Sequence, residues 1–380
     1  MEEKVFDLID NYEEKYLEFF KDICTFETPS RDKASMDEMM DYVENFARGE
    51  GFEVTRVPFE NCGDQLVIEM NPNGEKAYAC LAHMDTVHAK GIFGYPCIKI
   101  EDGKMTAPGA IDCKGGAVVA FLGMKALKDA GYDKNIRLLL TSDEEISNVL
   151  GGEKEMKLIA DTVKGFRGAL NFEPARTGKI VVQRKGILRL EVDVKGVGGH
   201  SGAAYFTSAS AILEAAHKIV ELESHSEQGK PTYNCSLIKG GTVANNIPDR
   251  CTFTVDIRVL NNAEMKEAED FVHEVASRTH VEGTSATVRL VSKRPPMERT
   301  PETMELFEKI NETSKRHGWG ELVPTLTAGG ADSAYTQLAG TPSVCSMGPD
   351  GGNGHRPDEY VILGTVKERA KLFAAFVLEN

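Results

Sequence analysis

No apolar run in this 380-residue chain approaches the ~18 residues that a membrane-spanning helix needs. The first residues, "MEEKVFDLIDNYEEKYLEFF", are acidic and helically periodic, without the basic start and apolar middle of a secretory leader. These absences predict no membrane association and a cytoplasmic location. Basic residues are also in deficit. Lys and Arg number 44 against 59 Asp and Glu, a net charge of −15, and no basic run interrupts the acidity, so nucleic acid is not an expected partner. The eight cysteines include no C-x-x-C pair, which predicts reduced, mostly buried thiols rather than a disulfide framework. There is no G-x-x-x-x-G-K-[ST] and no strand-linked G-x-G-x-x-G, which speaks against a nucleotide-dependent enzyme. Internal repeats and low-complexity tracts are missing too.

The length predicts two domains. After an N-terminal helix, "TPS" (Thr28 to Ser30) breaks the pattern, and a second helix runs from Ser35 to Arg48. "GFEVTRV", "DQLVIEM" and the start of "YACLAHMDTV" read as strands. An apolar helix from Gly115 to Ala130 precedes a buried strand at Ile136 to Thr141, making a parallel crossover unit, and "GALNF" supplies a further strand. His83, Glu144-Glu145 and Glu173 then lie just past the C-terminal ends of buried strands, the edge at which open α/β sheets hold ligands. Beyond Arg184 the order becomes β-α-β-β-α-β, a ferredoxin-like α+β arrangement, and "KRPPMERTP" returns the chain to α/β texture. The expected architecture is therefore a discontinuous α/β catalytic domain with a mostly parallel central sheet, residues 1–184 and 295–380. A ferredoxin-like dimerisation or lid domain, residues 185–294, is inserted in it.

Acidic groups and histidines collect in the first domain. His83 and Asp85 close one strand, Asp112 sits in "GAIDCKGG", Glu144 and Glu145 in "TSDEE", Glu173 in "NFEPA" and His355 in "GHRPDEY". Taken singly, each has an ordinary structural explanation, such as a helix cap or a solvated turn. Together, the two histidines with three of these carboxylates would form an N/O donor set that suits zinc, with cobalt or manganese as substitutes.

In these motifs, and in "GGHSG", "GGTVANNIPDRCTFTVDIR" and "GGADSAY", the sequence resembles the dinuclear zinc exopeptidases and deacylases. That family includes glutamate carboxypeptidase, acetylornithine deacetylase, succinyl-diaminopimelate desuccinylase and aminoacylase; "HSGAA" and "GGADSAY" are nearest to the glutamate carboxypeptidase branch. The resemblance implies two zinc ions per subunit. Asp112 would bridge them, with His83 and Glu173 completing one site and Glu145 and His355 the other. It implies that Asp85 orients His83 and that Glu144 is the general base for a water activated by both metals. It also implies a homodimer in which His200 stabilises the oxyanion in the partner's site. Asn245, Arg258 and Arg294 would then take the substrate's free carboxylate.

The expected reaction is hydrolysis of an amide next to a free carboxylate, on a short peptide or an N-acyl amino acid. An aminoacylase or deacylase differs from this only on the acyl side. A non-catalytic binding protein on the same fold is the reading from a different class. Pro108, Cys113, Ala331 and Tyr205-Phe206 depart from the common family pattern. Pro108 and Cys113 are not expected ligand positions, and Ala331 and Tyr205-Phe206 are expected to line the substrate region, so those departures bear on specificity rather than catalysis.

Overall fold

The structure, a computed structural model, describes residues 1–175 and 177–380. It divides into two compact units, one of residues Met1–Gln183, Arg299–Leu326 and Ala331–Asn380, the other of Arg184–Glu298 and Thr327–Gly330.

At the centre of the first unit is a six-stranded sheet in the order Glu53–Val57, Gln65–Met70, Asn135–Thr141, Lys76–His83, Gly168–Asn171, Ser343–Val344. Its first two pairings are antiparallel and the remaining three parallel. The apolar strands are buried on both faces, which explains why their sequences run without polar alternation. Tyr78, Cys80 and Ala82 join a core shared with helices Glu2–Thr25, Gly115–Ala130 and Gly364–Glu379. Ala79 and Leu81 face the opposite core, with Ile159 and Val163 of helix Gly152–Val163. That helix and the strand Lys179–Arg184 were not expected from sequence. The helix begins at paired glycines and carries a weakly apolar, charge-rich stretch, while the strand pairs with Val323–Thr327, far along the chain.

Two glycines let this unit close around its sheet edge. Gly109 has φ of +71°, and a Cβ there would stand 2.8 Å from Thr86 Cγ2. A Cβ on Gly116 would lie 1.8 Å from the carbonyl oxygen of Phe172, so only glycine lets helix Gly115–Ala130 begin against the end of strand Gly168–Asn171.

In the second unit an antiparallel sheet has the order Thr232–Gly240, Arg250–Val259, Gly186–Lys195, Ser285–Arg294. Helices Ala211–Ser224 and Asn262–Ser277 pack on it, completing the β-α-β-β-α-β order. Strict alternation of burial along Arg250–Val259 places Cys251, Phe253, Val255, Ile257 and Val259 in the core with both helices. Each large apolar side chain so buried contributes ~1.5–3 kcal/mol. The eight cysteines form no disulfide among the described residues. Among the described residues, no helix is long and apolar enough to cross a membrane.

Candidate metal centre

The strand Lys76–His83 ends in its own functional side chain, and Asp85 follows it into a fully buried position. His83 Nδ1 lies 3.1 Å from the Asp85 backbone carbonyl, its hydrogen-bond acceptor, and 3.3 Å from Asp85 Oδ1, so Asp85 orients the ring and directs Nε2 the other way. The Asp85 carboxylate accepts hydrogen bonds from the backbone N–H groups of Glu144 (3.2 Å) and Glu145 (3.1 Å). Asp85 thus fixes a histidine and the start of the turn carrying two glutamates. The Ser30 hydroxyl also donates to it, at 2.6 Å. Sequence reasoning passed over Ser30, because "TPS" signals only a helix stop and its partner lies 55 residues away.

Asp112 stands between two histidines. Its Oδ1 is 3.1 Å from His83 Nε2, and its Oδ2 is 3.3 Å from His355 Nε2. The peptide bond that follows it is cis. On the first side, Glu173 Oε1 lies 3.8 Å from His83 Nε2; on the second, Glu145 Oε2 lies 3.1 Å from His355 Nε2. His355 takes a left-handed φ of +66° to reach this position. Ligand atoms of His83, Asp112 and Glu145 fall within 4.8 Å of one another, and so do those of His83, Glu144 and Glu173. The buried Glu144 therefore falls in the second of these groups, and distance alone does not separate a base from a ligand.

The electrostatics are those of closely packed carboxylates and imidazoles that share protons. Burial and the charge of Asp112 push the Glu145 carboxyl up to about 8. Hydrogen bonds to Asp112 and Glu145 push His355 up to about 11. Burial works to raise Asp112 as well, but hydrogen bonds with His355 and His83 outweigh it and hold its carboxyl well below the usual carboxylate range. Carboxylates this close repel one another, and cations between them would relieve that repulsion. His83, Asp112, Glu145, Glu173 and His355 thus fit a pair of divalent ions in donor type and convergence.

Residues 79–379 match the family described as Peptidase family M20/M25/M40. The chain belongs to this family. It is similar to carboxypeptidase G2 of Pseudomonas sp. (strain RS-16), 28% identical over 365 residues that cover 94% of this chain and 87% of the relative. It is also similar to succinyl-diaminopimelate desuccinylase of Acidiphilium cryptum, 26% identical over 286 residues covering 72% and 74%. Its fold is that of a dinuclear metal-binding peptidase of the M20 family from Bacillus subtilis, with a TM-score of 0.71, 16% identity and coverage of 97% and 98%.

As an M20 peptidase the protein is a hydrolase of a metal-dependent family that acts on peptides or acyl amino acids. The remaining residues singled out in the sequence lie in the second unit. His200 ends the short strand Gly199–His200, whose register partner is Asn246, and the neighbouring Ser201 N–H donates to the Asn245 carbonyl at 3.0 Å. His200 and Asn245 are thereby neighbours, both exposed. Arg258 is ion-paired with Asp256 at 2.6 Å and donates to the Ala328 carbonyl at 3.4 Å. Arg294 is buried against Gly330, where a Cβ would come within 2.6 Å of its Cδ. Both arginines thus converge on the glycine-rich segment 328–330.

Proposed function

We propose that the protein is a dinuclear zinc hydrolase that cleaves an amide bond next to a free carboxylate, a carboxypeptidase-like exopeptidase on short peptides or N-acyl amino acids. The observation that carries this reading is the placement of Asp112, with one carboxylate oxygen toward His83 and the other toward His355. Bound there, two cations would polarise the scissile carbonyl and lower the pKa of the attacking water. Glu144 takes the water's proton and later delivers it to the leaving amine. Asp85 holds the backbone N–H of Glu144, so the base is positioned by the same group that orients His83. Asn245, Arg258 and Arg294 receive the substrate's free carboxylate; a guanidinium suits that partner because its planar donors match two oxygens.

His200 is assigned to the developing oxyanion in the active site of a second copy of the chain. Support for a homodimer comes from the edge strand Thr232–Gly240, which exposes Leu237 by 68% and Ile238 by 58%. An edge strand with apolar side chains outward is a ready surface for another copy.

The test is a panel of dipeptides and N-acyl amino acids offered to zinc-loaded protein, read by release of free amine. Turnover is expected only where the residue released bears a free α-carboxylate. Turnover confined to N-acyl amino acids would favour the aminoacylase or deacylase reading. Equal turnover of carboxyl-amidated substrates would remove the proposed role of the arginines.

A further inference from the structure

The buried carboxylate of Glu359 has no part in the reaction as described, yet it touches the backbone of the bridging aspartate. Only 1% of Glu359 is exposed. Its Oε1 accepts hydrogen bonds from the N–H groups of Ile111, at 2.9 Å, and Asp112, at 3.0 Å. Its Oε2 lies 2.6 Å from Nε2 of the buried His88, within hydrogen-bond distance. The His88 ring is in turn seated edge-on against Phe93, with centroids 4.8 Å apart. We propose that Glu359 is a positioning residue that aims the Asp112 carboxylate at both halves of the metal centre, and that His88 holds Glu359 in place.

The argument starts from the segment Ala110–Lys114. Asp112 has φ −123° and ψ 87°, which is not helical, so a regular helix does not fix its direction. What fixes it is a single acceptor gripping two successive N–H groups. With its N–H held, Asp112 presents its two oxygens to His83 and His355 at nearly equal distances, 3.1 and 3.3 Å. A rotation of that backbone would favour one histidine at the expense of the other.

The origin of Glu359 adds a second constraint. It lies four residues after His355 in a braced turn: Arg356 and Asn353 both donate to the Asp358 carboxylate at 2.9 Å, and the Glu359 N–H donates to the Arg356 carbonyl at 3.0 Å. One segment therefore brings a metal-ligand histidine and the clamp on the bridging aspartate together. Through His88 the clamp reaches the segment that begins at His83. The motifs "LAHMDTVH", "GAIDCKGG" and "GHRPDEY" are thus joined by one carboxylate, in addition to any shared cation.

This inference rests on the dinuclear reading, and its test separates the two. Zinc titration of metal-stripped wild type, Glu359→Ala, Glu359→Gln and His88→Leu by calorimetry is combined with crystal structures of wild type and Glu359→Ala. Glu359→Ala is expected to displace the Asp112 carboxylate, to weaken zinc binding by ~10–100-fold, as loss of groups that orient metal ligands typically does, and to lower kcat with little change in KM. Glu359→Gln, whose amide oxygen still accepts both N–H groups while its NH2 donates to His88 Nε2 in the tautomer that accepts there, should stay close to wild type, a rescue that a general stabilising role for the negative charge would not give. If Glu359→Ala does not fold, His88→Leu carries the test, with weaker zinc binding expected in the same sense. An unmoved Asp112 together with wild-type zinc affinity in Glu359→Ala or, where that variant does not fold, wild-type zinc affinity in His88→Leu overturns the proposal. Fewer than two zinc ions bound by wild type would count against the dinuclear reading instead, and the position of Asp112 in the variant crystal would still decide the role of Glu359.

Discussion

At the scale of single residues, the question is whether Glu144 serves as the proposed base or as a ligand. Its ligand atom groups with those of His83 and Glu173, while its backbone N–H is held by Asp85. Glu144→Gln keeps the shape and removes the basicity. We therefore expect two ions per chain, as in wild type, with kcat lowered ~10²–10⁴-fold, the usual worth of a positioned base. Elemental analysis alongside turnover checks this, and loss of an ion with the activity would make Glu144 a ligand. Individual residues were partly legible beforehand. His83 and Asp85 could be singled out because residues two apart on an extended chain share a face, and the acidic motifs because they follow buried strands. Ser30 and Glu359 could not, since their meaning lies in contacts with residues 55 and more than 240 positions away. No local pattern records such a pairing.

At the scale of elements, the parallel crossover at Lys76–His83 and Asn135–Thr141 was readable because both strands are short, apolar and separated by a helix of matching length. The alternation in Arg250–Val259 was equally plain. Helix Gly152–Val163 was missed, because its buried face is narrow and its N-terminus is marked by glycines rather than a capping side chain. The inserted unit also contains a device invisible to periodicity. Lys218 and Glu214 are each 1% exposed and paired at 2.8 Å between neighbouring turns of helix Ala211–Ser224. The Lys218 ammonium also donates to the carbonyls of Val275, Ala276 and Arg278 at the end of helix Asn262–Ser277, tying the two helices together. Lys218→Met would take the counter-charge from the buried Glu214, leaving its carboxylate to the N–H groups of His280 and Val281, and release those carbonyls. The expected cost is ~3–5 kcal/mol, as for breaking a buried pair from one side. Chemical denaturation followed by circular dichroism should show a correspondingly earlier transition. An unchanged midpoint would mean that solvent reaches the pair.

At the scale of the whole molecule, the proposed homodimer makes a prediction that no single active-site variant can make. The first unit contains the entire expected ligand set, yet His200 belongs to the second. An oxyanion donor acts only when held close to the developing charge, and loss of one costs ~10²–10³-fold in kcat. His200→Ala and Glu144→Ala should therefore each be nearly inactive as homodimers. If His200 serves the partner's active site, a hybrid of the two variants has one site carrying both lesions and one carrying neither. Dissociating and remixing equal amounts should place about half of the chains in hybrid dimers by random pairing, restoring up to about a quarter of wild-type activity. Exchange is verified first, by tagging one variant and recovering the other with it. Activity that stays at the level of the separate variants, despite proven exchange, would show that His200 acts within its own chain or takes no part in the reaction. Recovery in proportion to the hybrid fraction would require the working enzyme to be the dimer, since the intact site then combines Glu144 of one copy with His200 of the other.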